Sequence, residues 1–255
     1  MRKFKIALII LSASTFLCQN LKAQTVQITK NDSLWLHRKK VKKELLSLNK
    51  VPIFLISAGL YAYTDSDIIG REDVAERRNQ SVPNFKTHAD DYLQYTPIVA
   101  SMVLNAFGVK GEHSFSKSLP LLIKSELLML TVVTPTKQLT HQLRPDGSNY
   151  SSFPSGHTAQ AFVAATFLHE EFGKKSPWIS IGGYTAASSV GLLRILNNRH
   201  FSSDVLVGAG IGILSTKLVY YHHRNKKAHS INNFKVLPYY TSNNNLGVSM
   251  SMRIN

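Results

Sequence analysis

Trp178-Ile-Ser-Ile-Gly-Gly-Tyr-Thr-Ala-Ala-Ser-Ser-Val-Gly-Leu-Leu-Arg-Ile195 is the stretch from which the fold can be read. Its apolar residues do not alternate with polar ones, and it is too long for an ordinary strand, so it predicts a helix. Glycine, alanine and serine crowd its middle. The next apolar run, Val205–Tyr221, carries Gly208, Gly210 and Gly212. Small residues of this kind let two helix backbones approach closely, in a membrane bundle or a tightly packed soluble one. Outward from this pair lie four more apolar stretches: Val51–Tyr63, Tyr95–Val109, Leu119–Val133 and Ala159–Leu168. The expectation is an all-α protein built on a six-helix bundle, spanning residues 51–227. The tail, residues 228–255, reads differently. Val236–Tyr240 and Leu246–Ile254 flank an Asn-rich turn, and Val248, Met250 and Met252 alternate with other residues, which predicts a small β-hairpin.

The N-terminus reads as a signal peptide over residues 1–23. Met1 to Lys5 is basic, Ile6 to Leu17 is a short apolar run, and Ala23 precedes a plausible cleavage point. An uncleaved anchor is the alternative. Residues 24–50 are polar and basic, consistent with a helix on an anionic surface or with a solvated face. Residues 64–94 form a polar connection with seven acidic and four basic residues, expected as loop or short helix. The chain has 255 residues, 44% hydrophobic and 18% charged, which excludes wholesale disorder. A net charge of +15 favours anionic partners: nucleic acid, anionic lipid or phosphorylated substrates. Cys18 is the only cysteine, so neither an intrachain disulfide nor a cysteine metal site is available.

Three polar clusters sit at the edges of the expected helices. In the first, Lys137 and Arg144 are seven apart, which two helical turns would align, with Pro145 placing Arg144 near the helix exit. Such a pair suits a dianion, or is simply solvated. The second is Phe153-Pro154-Ser155-Gly156-His157-Thr158. Ser155 is a natural N-cap, Gly156 permits close backbone approach, and the free N–H groups of a first turn attract anions. His157 stands at that opening; a plain helix start is the alternative. The third runs from Arg194 through His200 to Asp204. If helical, the four-residue spacing puts His200 and Asp204 on one face, so that Asp204 fixes the tautomer and leaves the other ring nitrogen free to attack. A structural pair is the alternative. His113, His141, His169, His222 and His223 lack metal-ligand spacing with a second strong partner and read as surface or helix-face residues; no metal or cofactor is expected.

Taken together and in this order, Lys137/Arg144-Pro145, Pro154–His157 and Arg194/His200/Asp204 closely resemble the type 2 phosphatidic acid phosphatase family. That family shares its core with class A acid phosphatases and vanadium haloperoxidases. The resemblance covers roughly residues 45–225. It implies a phosphatase in which His200 attacks phosphorus, Asp204 orients it, and His157 protonates the leaving group. Lys137, Arg144 and Arg194 would bind the phosphate oxygens with Ser155 and Gly156, without a metal ion. The family's third motif begins with a serine, where this chain has Leu193, so Arg194 is expected to be held differently.

The substrate implied is a lipid-linked or small phosphomonoester or a terminal diphosphate, with no role for nucleic acid. Basic segments at 38–50, 110–117, 174–175 and 224–227 fall on one side of a six-helix bundle and the three clusters on the other. That bias suits a cell-envelope enzyme on the inner membrane with its site facing the periplasm. A cleaved signal followed by six spans would instead put the site inside, so the two readings conflict. The mean hydropathy of −0.08 leaves a soluble periplasmic acid phosphatase open. A vanadate-dependent haloperoxidase and a non-catalytic lipid-binding protein complete the alternatives.

Overall fold

A computed structural model describes residues 50–64, 70–229, 234–240 and 246–252. The signal-peptide reading and the basic segment before Lys50 lie outside the described residues. Eight helices are described: α1 (Lys50–Tyr63), α2 (Arg71–Ser81), α3 (Ala89–Leu93), α4 (Thr96–Ala106), α5 (Phe115–Thr140), α6 (Gly156–Phe172), α7 (Pro177–Leu196) and α8 (Ser202–His229). Each of the six apolar stretches lies within or largely overlaps one of these helices. The polar connection supplies the two extra ones, α2 and α3. The hairpin is present as β1 (Phe234–Tyr240) paired antiparallel with β2 (Leu246–Met252), with Phe234 opposite Met252 and Tyr240 opposite Leu246.

Helix α6 is the centre of the bundle. Ala159, Ala161, Val163, Ala164 and Ala165 are wholly buried, and α5, α7 and α8 pack around it. The small residues of α8 explain the closeness. A Cβ on Gly208 would sit 2.5 Å from the Ser155 carbonyl oxygen, and one on Gly212 would collide with that of Ala159. Bare glycines at 208 and 212 therefore seat α8 directly on the backbone of α6. Gly210, turned the other way, does the same for α1 at Pro52 and Ile56.

The outside of the bundle is apolar. Phe54, Val99, Phe107, Leu127, Leu139, Trp178 and Leu192 are all more than half exposed. An apolar surface of this extent marks contact with lipid or another apolar phase. Helix α5, helix α7 and Ser202–Arg224 of α8 are long and apolar enough to cross a membrane; α1 and α4 are shorter apolar helices. The protein is membrane-associated.

The bundle has two chemically distinct ends. At one, Lys174 pairs with Glu112, Arg224 with Glu170, and His113 with the buried Glu171, which Tyr220 also reaches. His113 is thus a partner of a buried carboxylate, contrary to the surface reading; burial makes Glu171 demand hydrogen bonds. The other end gathers the end of α5 and the beginnings of α6 and α8.

Candidate active site

The three clusters meet, but not by the local geometry that their spacing suggests. Helix α5 stops at Thr140, where His141 takes a left-handed conformation (φ 43°, ψ 46°). Arg144 is therefore beyond the helix and is not aligned with Lys137 by two helical turns. It lies in a loop that folds back on itself: its N–H bonds to the Asn149 carbonyl, and the Ser152 N–H bonds to that of Gln142. Likewise His200 is not helical. It occupies the turn between α7 and α8, and only Asp204 lies in the first turn of α8. The Arg194 carbonyl accepts from both the Arg199 and the His200 N–H groups and fixes that turn.

Hydrogen bonds fasten the clusters together. The Ser155 N–H donates to the Asp204 carbonyl at 3.0 Å. The Ser152 hydroxyl donates to Asp204 Oδ2 at 2.5 Å. Lys137 Nζ donates to the Ser151 carbonyl at 2.6 Å, and the Thr140 hydroxyl to that of Phe153 at 3.1 Å. A Cβ at Gly156 would lie 3.8 Å from Lys137 Cε, so lysine and glycine line the same space. Ser155 caps α6, accepting from the Thr158 N–H.

His200 is 2% exposed and Asp204 wholly buried. Nδ1 of His200 stands 3.4 Å from Asp204 Oδ2. That is a long contact, because Oδ2 also accepts from Ser152 and from the Phe201 N–H. Oδ1 accepts from Ser203. A carboxylate held by so many donors is fixed in place behind the imidazole. Burial pulls the His200 pKa down to about 4, with Asp204 opposing and Lys137 and Arg194 adding to the fall. The ring is therefore neutral near pH 7, with Nδ1 facing the carboxylate.

Next to this buried pair opens a cavity of about 590 Å³, lined by Arg144, His157 and Arg194 among others. Lys137, Ser155, Gly156, His200 and Asp204 are not among its lining residues. Two acidic residues from the polar connection complete the site, and the sequence reading missed them. Asp90, 1% exposed, takes the Arg194 guanidinium at 2.6 Å. This answers the missing serine at Leu193: Arg194 is held from α3 instead. Asn197 braces the same carboxylate at 2.9 Å. Asp91 Oδ1 stands 3.0 Å from His157 Nε2. The available signal was an Asp-Asp pair just before an apolar helix, two of seven acidic residues in the connection and so not distinctive.

The cations crowd one another. Burial, then the charges of Arg194 and Arg199, hold Arg144 below its ordinary pKa. Nε of Arg144 and Nε of Arg194 are buried with no acceptor among the described residues. Buried donors of this kind call for an anion. Beneath, Arg71 stacks over Tyr63 and Phe201 at 4.4 and 5.0 Å, packing the turn that carries His200.

Residues 111–228 match the model of the PAP2 superfamily, and these residues hold all three clusters. The match covers a little under half of the chain. The lipid A 1-phosphatase of Porphyromonas gingivalis is 41% identical over 168 residues, which are 66% of this chain and 37% of that protein. The bacitracin transport permease protein BcrC of Bacillus licheniformis is 38% identical over 71 residues, 28% of this chain and 33% of that protein. The chain thus spans only about a third of either relative's length. Among solved structures, Aquifex aeolicus LpxE is similar with a TM-score of 0.44 and 25% identity, covering 57% of this chain and 93% of that one. The PAP2-type phosphatidylglycerolphosphate phosphatase of Bacillus subtilis has a TM-score of 0.41 and 20% identity, over 71% and 99%.

Proposed function

We propose that the protein is a phosphatase of the cell envelope that cleaves a lipid-linked phosphomonoester or terminal diphosphate through a phosphohistidine on His200. The observation that carries this is the neutral, buried His200 backed by Asp204 at 3.4 Å, beside a cavity lined by Arg144, Arg194 and His157. In this reading His200 Nε2 attacks phosphorus. A P–N bond forms and the P–O bond to the leaving group breaks, while His157 supplies the proton to the departing oxygen. Water then attacks the phosphohistidine, activated by the same His157, and inorganic phosphate leaves. Asp204 stabilises the imidazolium as it forms. Lys137, Arg144 and Arg194 take the role that a metal ion plays elsewhere, neutralising the equatorial oxygens. The Gly156 N–H and Ser155 assist at the start of α6.

The exposed apolar flanks support a substrate carried by lipid. The relative named lipid A 1-phosphatase favours a lipid A phosphate, with phosphatidate, phosphatidylglycerol phosphate and undecaprenyl diphosphate as further candidates. Lys110, Lys117, Lys174 and Arg224 belong to the end remote from the site, and the bias of basic residues toward the cytoplasm supports a periplasmic site. That orientation puts Lys50, at the remote end of α1, on the cytoplasmic side. A reporter fused before Lys50 reads this directly, and a periplasmic signal there overturns the orientation.

A soluble acid phosphatase fits the apolar surface poorly. A haloperoxidase is separated by vanadate, which inhibits a phosphatase and leaves halides unoxidised. The deciding experiment is phosphate release from lipid and soluble esters with EDTA present, together with trapping of an acid-labile phosphoenzyme. Full turnover by His200→Ala would sink the mechanism.

A further inference from the structure

The cavity is much larger than one phosphate at Arg144 and Arg194 requires. Part of its wall is the segment from Pro83 to His88, and that segment is fixed from two sides. Arg78, buried, donates to the carbonyls of Pro83, Phe85 and Leu196. The Asn197 amide pairs with both the N–H and the carbonyl of Thr87, each at 2.9 Å. Lys86 lies between these anchors, exposed and on the cavity wall. The carboxylates of that wall are taken: Asp90 by Arg194 and Asn197, Asp91 by His157 and His88, Asp146 by Arg199 and Ser148. No ion pair joins Lys86 to any of them. A lysine on solvated, mobile loop would be unremarkable surface charge. Here the backbone is bolted to α2 and to the end of α7, so the ammonium works from a fixed base beside the phosphate-binding arginines.

We propose that Lys86 forms a second anion subsite in this cavity, and that the head group of the substrate carries a second anionic group besides the phosphate that is cleaved. The proposal rests on the phosphatase reading, which places the first anion at Arg144 and Arg194. The second anion is either the inner phosphate of a diphosphate or a separate charged group on the head group; Lys86 serves both by the same chemistry.

The test uses the full chain in detergent micelles, wild type against Lys86→Gln and Lys86→Arg. Turnover is compared on glucose 1-phosphate and glucose 1,6-bisphosphate, and inhibition by orthophosphate and pyrophosphate. In Lys86→Gln, the bisphosphate-to-monophosphate ratio of kcat/KM, or the preference for pyrophosphate over orthophosphate, falls by about tenfold or more, as expected for one charge-assisted contact. Lys86→Arg retains it. A fall confined to pyrophosphate identifies a diphosphate; a fall confined to the bisphosphate identifies a separate group. Unchanged ratios in both arms overturn the subsite. If no phosphate ester, lipid-borne or soluble, is turned over, the phosphatase reading fails instead. Calorimetric titration of pyrophosphate and orthophosphate into wild type and Lys86→Gln then still decides on Lys86.

Discussion

Asp91 Oδ1 and His157 Nε2 are 3.0 Å apart although 66 positions separate them in the chain. The pair sets the protonation of the proposed general acid. Burial, then the charge of Arg194, lowers the His157 pKa, while the Asp91 carboxylate raises it by favouring the imidazolium. The side chain of Asp91 is itself 45% exposed and is held below its ordinary value by His88 and His157 against the effect of burial. Asp91→Asn removes the raising influence and leaves burial and Arg194 in place. His157 then loses its proton at lower pH, so the basic limb of the kcat/KM profile moves toward acid. A limb that stays in place or moves to higher pH refutes the role of Asp91.

Arg194 and Asp90 form a buried ion pair at 2.6 Å, with both side chains less than a tenth exposed. Removing one member of such a pair costs about 3–5 kcal/mol, because the other charge is left desolvated and unpaired. Asp90→Ala therefore lowers the thermal midpoint in detergent sharply and abolishes activity. Asp90→Ala combined with Arg194→Met recovers most of the midpoint and none of the activity. Recovery of activity by the double variant would show that Arg194 does not contact phosphate.

Leu193→Ser restores the serine that the resembling family carries before its arginine. Because Asp90 and Asn197 already hold Arg194, kcat/KM changes by no more than about threefold, within the range of an ordinary surface-type substitution. A gain of tenfold or more would mean that Arg194 is poorly placed as it stands.

Gly208 and Gly182 give a matched pair of alanine substitutions. At Gly208 the new methyl meets the Ser155 carbonyl at 2.5 Å, and at Gly182 it meets nothing within 4 Å. Gly208→Ala forces α8 away from the cap of α6 at the point where Ser155 bonds to Asp204. The expected cost is about 1–3 kcal/mol of stability, with a disproportionate loss of kcat as His200 and His157 separate. Gly182→Ala is neutral or slightly stabilising, since alanine favours helix. Equal behaviour of the two in thermal melts and kinetics overturns this account.

Asp204 Oδ2 is shared by Ser152, Phe201 and the long contact to His200. Asp204→Asn presents the wrong hydrogen-bonding partner to Nδ1, and kcat falls by about 10³–10⁴-fold, the size seen when a catalytic histidine loses its orienting carboxylate. Ser152→Ala spares the charge and costs about tenfold or less. A larger effect from serine than from aspartate would reverse their assigned order.

The six apolar runs and the turn-flanked tail were legible in the sequence because periodicity and residue size act locally: a run either has the length for a helix or does not, and glycines at 208 and 212 announce close approach wherever they pack. The three clusters could be read for the same reason, each being contiguous. Their local geometry could not. Lys137 and Arg144 looked aligned by helical spacing, yet the left-handed His141 ends the helix between them. His200 and Asp204 come together through a turn and not along one helix. Tertiary structure alone decided which of seven acidic residues in the connection matter. Asp90 is set apart by its burial beside Arg194 and Asp91 by its contact with His157, each more than sixty residues away, and burial is what turns the Asp90 carboxylate into a partner that a cation cannot do without.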